Sequence, residues 1–265
     1  LLGIRHIVLA VNKIDLVGYD RAVFDGIVAD FQAFAGDLGF ATIQPIPLSA
    51  RHGDNVTRSS QNTPWYQGPH LLEHLETVPV EKVNREKPFR FPVQHVSRPD
   101  LDFRGFAGQV ASGTVAVGDT VTVAKSGQST RIKQIATWDG SLERAVEGQA
   151  VTLVLEEQLE VSRGNMLVAP DDRPTVADQF QAHVIWFDAN PMIPGRNYIL
   201  RTETDSVETT VTALKYEVDV NTFAHLAAKA LHMNGVGVCN FATRAPIAFD
   251  SYAANRVTGN FVLID

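Results

Sequence analysis

The sequence has little cysteine, no long apolar run and no excess of positive charge. Cys239 is the only cysteine among 265 residues, which excludes a disulfide scaffold and favours a reducing, cytoplasmic compartment. The longest apolar runs, such as residues 7–11, are far shorter than the roughly 18 residues that a membrane helix needs. Because 23 Lys and Arg residues face 30 Asp and Glu residues, we expect no membrane contact and no strong non-specific nucleic-acid binding.

What is present is ordinary globular composition. Hydrophobic residues make up 45% of the chain and charged residues 20%, so a disordered chain is excluded. The length suggests about two domains. The sequence starts at Leu1, with no initiator methionine and no signal peptide before an apolar segment, and we expect the chain to be part of a longer protein.

Residues 1–78 alternate between strand and helix patterns. The apolar run at residues 6–11 is typical of a strand covered on both faces. A helix is predicted near residues 21–37, a second strand at 42–48, and a second helix that opens at Gly68-Pro69. One face of the first helix carries Phe24, Ile27, Val28, Phe31 and Phe34. This order predicts a parallel sheet with right-handed crossovers.

From residue 89 onward, short runs rich in β-branched and aromatic residues are separated by turn signals. Ten strands are predicted, at residues 89–96, 106–110, 120–124, 131–137, 151–155, 181–187, 197–202, 208–218, 235–241 and 261–264. Such spacing is typical of small barrels or sandwiches. We expect Trp138 and Trp186 to pack inside them and Cys239 to lie buried in a strand.

The predicted fold class is therefore α/β followed by all-β. We predict three domains: an α/β part at residues 1–82, a small β-barrel at 83–173 and a second at 174–265. A charged linker is expected at residues 81–88, and a second break at 170–174. The apolar run just before the C-terminus leaves open that the third domain is truncated.

The strongest chemical signal is Asn12-Lys13-Ile14-Asp15, directly after the first strand. A loop at the carboxyl end of a parallel strand faces the ligand crevice, and N-K-x-D is the motif with which GTPases read guanine. Asp15 can accept the N1–H and the exocyclic amine of guanine, each such bond contributing roughly 1.5–3 kcal/mol. The stem of Lys13 can lie along the base, while Asn12 ties neighbouring loops together. The motif alone also arises by chance.

A second signal follows the next predicted strand. Ser49-Ala50 occupies the place where GTPases carry a Ser-Ala pair whose backbone N–H groups approach the guanine carbonyl oxygen. A small side chain lets the backbone come close. The combination predicts a guanine site formed by Asn12, Lys13, Asp15, Ser49 and Ala50, with no catalytic residue and no metal ligand in this chain.

Further segments carry a family resemblance. Gly53-Asp54-Asn55, residues 64–69 and the succession of two β-barrels resemble translation-factor-type GTPases. Within that group, the sequence resembles the large, GTP-binding subunits of bacterial sulfate adenylyltransferase. The segments that carry this resemblance are residues 2–8, 34–36, 89–94, 98–105, 111–113, 218–221, 231–235 and 258–259. One departure is Arg51-His52, where the family carries an apolar residue first, and this puts the packing of that loop in doubt.

The resemblance implies the following function. The whole enzyme would form adenylylsulfate and pyrophosphate from ATP and sulfate, with GTP hydrolysis on this subunit helping to drive the reaction. A separate small catalytic subunit would be the partner, and an adenylylsulfate kinase could be fused or associated. The family's phosphate loop and its Mg²⁺-binding segment are expected upstream of Leu1, since neither motif occurs in this sequence. We therefore expect the isolated chain to be inactive.

Three alternatives remain open at this point. One is an elongation-factor-type GTPase that delivers aminoacyl-tRNA, which shares the fold but not the form of residues 98–105. A second is a binding module without activity of its own. The third is metal chemistry at His70-Leu71-Leu72-Glu73-His74, which matches the inverted zinc-peptidase pattern. We disfavour zinc because no segment for a third ligand stands out.

Overall fold

The computed structural model describes residues 4–79, 86–98 and 103–265. The chain divides into two compact units, Leu1–Glu81 and Lys82–Asp265. Most of the predicted linker at 81–88, and the centre of the family segment at 98–105, lie outside the described residues.

The first unit has the predicted strand–helix–strand–helix order. Its elements are β1 (His6–Val11), a 3-10 helix (Ile14–Val17), α1 (Arg21–Ala35), a 3-10 turn (Gly36–Leu38), β2 (Thr42–Pro47) and α2 (Leu71–Thr77). The two strands pair in parallel, with His6 opposite Thr42 and Val11 opposite Pro47. The loops that follow β1 and β2 therefore emerge at the same edge of the sheet.

Local chemistry explains where α1 begins and which face it buries. Asp20 caps the helix by accepting the backbone N–H of Ala22 at 2.7 Å. Phe24 packs against Val11 and Ile14 of the loop-bearing edge. The predicted apolar face is covered only in part, since Val28 packs with Phe24 while Ile27 and Phe34 are exposed. Ala35, the last residue of the helix, is also buried.

The second unit contains only strands among its described regular elements. They are β3 (Arg90–Ser97), β4 (Gly105–Gln109), β5 (Thr114–Ala116), β6 (Thr120–Val123), β7 (Ser129–Thr137), β8 (Gly140–Leu142), β9 (Arg144–Val146), β10 (Ala150–Leu155), β11 (Met166–Val168), β12 (Thr175–Ile185), β13 (Asn197–Arg201), β14 (Ser206–Val218), β15 (His225–Leu226), β16 (Val236–Phe249) and β17 (Val262–Ile264).

Most of these strands form two large sheets, and β5 pairs with β9 in a separate two-stranded sheet. In the first, the order is β10-β4-β3-β11-β6-β7-β8, and β10 also pairs with β7. That extra pairing closes the sheet into a barrel around a core that includes Phe91, Phe106 and Leu153. The second sheet runs β12-β16-β14-β13-β17, with β15 beside β14, and its core includes Met192 and Phe241.

A buried arginine joins the two sheets within this unit. Arg90 of β3 donates two hydrogen bonds to the Asp250 carboxylate, at 2.9 and 3.0 Å, and one to the Asp172 carboxylate at 2.7 Å. The carbonyl oxygens of Phe89 and Asp172 accept two more. Burial opposes the charged guanidinium, but the bonds to Asp250 and Asp172 outweigh it and raise the pKa of Arg90.

Some sequence-based predictions need correction. Trp138 does not pack in a barrel, because it lies at the turn between β7 and β8 and is fully exposed. Helix α2 begins at Leu71 rather than at Gly68-Pro69, since His70 is its cap. Trp186 and Cys239 are buried as predicted, and burial raises the pKa of the Cys239 thiol to about 12.

Candidate functional site

The loop after β1 is held in a tight, unusual conformation. Lys13 has φ 62 and ψ 30, in the left-handed region that non-glycine residues adopt at a cost of roughly 1–3 kcal/mol. Ile14 is buried and donates its backbone N–H to the Leu48 carbonyl at 3.3 Å. Ile14 therefore anchors the motif, while Asn12 and Lys13 face solvent.

Asn12 connects this loop to the loop after β2. Its side-chain Oδ1 accepts the backbone N–H of Lys13 at 2.8 Å and that of Ala50 at 3.0 Å. Two loops that are 38 residues apart in sequence are thus joined by one amide.

Asp15 lies at the start of the 3-10 helix with its side chain 15% exposed. Nε2 of His52 lies 3.7 Å from Asp15 Oδ2. His52, one of the two residues at which the sequence departs from the family pattern, therefore approaches the carboxylate. A carboxylate that stays partly open to solvent can accept two parallel N–H groups from a ligand.

Ser49 lies at the carboxyl end of β2 and is 1% exposed. Its carbonyl accepts the N–H groups of His52 and Gly53, at 3.2 and 2.8 Å, and these bonds define a tight turn. Its hydroxyl is buried and has no hydrogen-bond partner among the residues that the structure describes. A buried, unpaired polar atom is costly, and this one adjoins Ala50.

Asp54 is the centre of a polar network behind this turn. Its carboxylate accepts hydrogen bonds from Ser60 Oγ at 2.6 Å, Tyr19 Oη at 2.9 Å and Asn62 Nδ2 at 3.1 Å. The bond from Ser60 contributes most to lowering the pKa of Asp54; partial burial opposes the shift, and Tyr19 and Asn62 add to it. The same contact with Asp54 raises the pKa of Tyr19, because ionisation would break the bond.

Asn55 fixes the loop from inside. It is buried, has φ 55, and its amide Nδ2 donates to the Pro47 carbonyl at 2.7 Å and to Thr63 Oγ1 at 2.9 Å. Its Oδ1 accepts the backbone N–H of Ser60 at 2.8 Å. The end of β2 and the following loop are therefore one connected structure.

Sequence reasoning placed Asn12, Lys13, Asp15, Ser49 and Ala50 in one site, and the structure brings these residues to one edge of the sheet. Sequence reasoning alone does not reveal Tyr19 or the supporting roles of Asp54 and Asn55. In the sequence, Gly53-Asp54-Asn55 contributes only to the family resemblance. Side chains that support a turn leave no periodic pattern, but a polar pair such as Asp54-Asn55, which begins four residues after Ala50, is a usable signal.

The His-x-x-Glu-His segment has a structural use. His70 precedes the helix, and its Nδ1 accepts the backbone N–H of Glu73 at 3.1 Å, which makes it the N-cap of α2. Among residues 4–79, 86–98 and 103–265, no three His, Cys, Asp or Glu side chains come together in a way that could hold a metal ion. No helix within those ranges is long and apolar enough to cross a membrane.

The fold of this chain matches that of a known class of proteins. A solved structure of Sup35 complexed with GMPPNP matches 99% of this chain and 67% of its own, with a TM-score of 0.63 and 22% identity. A Sup35 structure with GDP gives a TM-score of 0.64. Residues 179–265 match the family model described as GTP-eEF1A C-terminal domain-like. The chain thus has the fold of translation-factor-type GTPases, as the sequence predicted.

Curated relatives make the resemblance more specific. The bifunctional enzyme NodQ of Rhizobium sp. (strain BR816) is 66% identical over all of this chain, which spans 42% of that protein. Sulfate adenylyltransferase subunit 1 of Shewanella woodyi is 46% identical over all of this chain, which spans 56% of it. The chain is a homologue of sulfate adenylyltransferase subunit 1 and of NodQ over about half of their length, and the predicted resemblance is confirmed.

Proposed function

We propose that the loops after β1 and β2 form a guanine-binding site made of Asn12, Lys13, Asp15, Ser49 and Ala50. The observation that carries this proposal is the Asn12–Ala50 hydrogen bond at 3.0 Å, which brings the two motif loops together. In this arrangement Asp15 and the Ala50 backbone can contact one planar ligand at once.

Asp15 selects the base in this proposal. Guanine presents N1–H and an exocyclic amine side by side, and the two carboxylate oxygens accept both. Adenine lacks this donor pair, so the partly buried carboxylate would stay unpaired and adenine would bind more weakly. The His52 imidazole, 3.7 Å from Oδ2, flanks the carboxylate without closing it off from solvent.

The other residues complete the pocket. The aliphatic stem of Lys13 covers one face of the base while its ammonium group stays in water. The left-handed backbone of Lys13 is the kind of strain that clusters at binding sites. The buried hydroxyl of Ser49, unpaired among the described residues, and the Ala50 backbone face the carbonyl edge of the base.

The residues present fit the base of GTP but not its phosphates or Mg²⁺. The described residues bring together no carboxylate cluster for a metal, and the sequence has no G-x-x-x-x-G-K-[ST] loop. Bound GTP with Mg²⁺ would supply phosphoryl-transfer chemistry. Residues outside this chain would hold the phosphates and the metal. The 265 residues alone are therefore expected to bind the base and not to hydrolyse GTP.

For the whole protein, we propose the GTP-binding subunit of a sulfate adenylyltransferase. Relatives with that name and with the name NodQ are 46% and 66% identical to this chain. In this role the protein couples GTP hydrolysis to the reaction of ATP and sulfate that gives adenylylsulfate and pyrophosphate. The partner would be the small catalytic subunit. A relative from Xylella fastidiosa named "Bifunctional enzyme CysN/CysC" supports a fused or associated adenylylsulfate kinase.

The domain division is part of the proposal. Residues 1–82 would be the C-terminal part of a G domain, and residues 83–173 and 174–265 two elongation-factor-type β domains. The first break would fall among residues that the structure does not describe. The second would fall between β11 and β12, next to Asp172.

Two measurements test this function. Titration of the chain with GDP and with ADP, followed by NMR of the Ala50 and Asp15 amides, should show shifts with GDP at lower concentration than with ADP. Equal responses would contradict a guanine site. A pull-down with the full-length protein should capture the small sulfate adenylyltransferase subunit, and capture of aminoacyl-tRNA instead would support the elongation-factor alternative.

A further inference from the structure

We propose that Tyr19 and Asp54 are positioning residues of the guanine site, because their side-chain hydrogen bond holds the loop after β1 against the loop after β2. The proposal rests on the guanine site described above. It adds two residues that we do not place in contact with the base.

The two loops are joined at two separate places. Near the start of the first loop, Asn12 accepts the Ala50 N–H. Beyond its end, Tyr19 Oη donates to Asp54 Oδ2 at 2.9 Å, which connects residues that are 35 apart in sequence. Asp15 lies in sequence between the two connections. Both must hold if a base is to meet Asp15 and Ala50 simultaneously, since small misplacements weaken a two-point contact.

Asp54 is itself fixed and transmits its position to Ser49. Its Oδ1 accepts hydrogen bonds from Ser60 Oγ and Asn62 Nδ2. Its backbone carbonyl accepts a hydrogen bond from the Ser49 N–H at 3.3 Å. A shift of the Asp54 backbone therefore moves the residue that precedes Ala50.

Tyr19 is equally constrained on the other side. It has φ 59, and its N–H donates to the Ile14 carbonyl at 2.9 Å. Its carbonyl accepts the indole N–H of Trp65 at 3.1 Å. Because Ile14 lies between Lys13 and Asp15, the position of Tyr19 sets the position of the motif.

The test compares two tyrosine hydroxyls in the same unit. Tyr19→Phe removes the hydroxyl that donates to Asp54 and keeps the aromatic ring. Tyr66→Phe is the matched control, because its hydroxyl contacts the Gln44 amide and the Pro45 and Pro69 carbonyls and does not join the two motif loops. We expect Tyr19→Phe to weaken GDP binding about three- to ten-fold and Tyr66→Phe to leave it unchanged. Asp54→Asn added to Tyr19→Phe should cost less than the sum of the two single changes.

A second readout needs no nucleotide. Hydrogen exchange of the Ala50 amide should become faster in Tyr19→Phe than in Tyr66→Phe, because the loops then separate more often. Equal exchange, or equal loss of GDP affinity in both variants, would overturn the positioning role and indicate a general loss of stability. If the wild-type chain failed to bind GDP while the exchange difference appeared, the guanine site would be wrong and the connection between the loops right.

Discussion

The side-chain oxygen of Asn12 and the backbone nitrogen of Ala50 lie 3.0 Å apart, across 38 residues of sequence. One amide thereby joins the two loops that leave the same edge of the parallel sheet. The bond brings together the motif after the first strand and the dipeptide after the second, as the proposed guanine site requires.

Removing this amide should weaken base binding. Asn12→Ala deletes the acceptor for the Lys13 and Ala50 N–H groups, and two such bonds contribute about 1–3 kcal/mol together. We expect GDP affinity to fall roughly ten-fold in calorimetric titration. Gln67→Ala is the control, since its exposed amide donates to the nearby Pro64 carbonyl and not to a motif loop; a similar loss there would refute a specific role for Asn12.

Loss of Arg90 should destabilise the β unit. Arg90→Ala leaves the carboxylates of Asp250 and Asp172 without their buried cation, which costs about 3–5 kcal/mol. Arg244→Ala removes an ion pair in which the arginine side chain is 82% exposed and should cost at most about 1 kcal/mol. Urea unfolding followed by circular dichroism measures both, and equal midpoints would contradict the account.

The stability of the first unit should fall at low pH, because Asp54 then becomes protonated. Its folded pKa is lowered from 3.8, chiefly by the Ser60 hydroxyl. The contribution is therefore full above about pH 4 and is lost as pH falls through the lower folded value. Asp54→Asn should reduce stability at pH 7, and the difference from wild type should shrink towards pH 2. Trp65 fluorescence during unfolding reports this, and a constant difference would be the contrary result.

Cys239 should be inert in the folded protein. Burial raises the pKa of its thiol to about 12, so almost no thiolate is present at pH 8. Iodoacetamide should modify it only after denaturation, as mass spectrometry would show. Fast labelling of the native chain would contradict its placement in the core.

The sequence predicted the fold well where periodicity and turns are strong. The order of elements in the first unit, the all-strand character of the second and the burial of Trp186 follow from such patterns. Trp138 was predicted wrongly because the prediction followed from residue type alone. The turn at Asp139-Gly140, next to it, places the side chain in solvent. Strand β16 runs on to Phe249, past the predicted end at residue 241, because its pairing with β12 continues beyond the apolar run.

The site was predictable only in part. Asn12, Lys13, Asp15, Ser49 and Ala50 were assigned from motifs at strand ends. Tyr19 and Asp54 were not, because their contact depends on a left-handed tyrosine and on a turn that only the folded chain shows. Motifs indicate groups that meet a ligand, whereas the groups that hold those motifs in place depend on tertiary geometry.

The most direct test of the guanine site is the nucleotide preference of Asp15→Asn. Xanthine carries a carbonyl where guanine carries its amine, so an amide at position 15 can donate where the carboxylate accepts. We predict that the variant in the full-length protein prefers xanthosine diphosphate to GDP, while Asp25→Asn, on the exposed face of α1, retains the wild-type preference. Unchanged GDP affinity in Asp15→Asn would remove Asp15 from the base site and contradict the central claim.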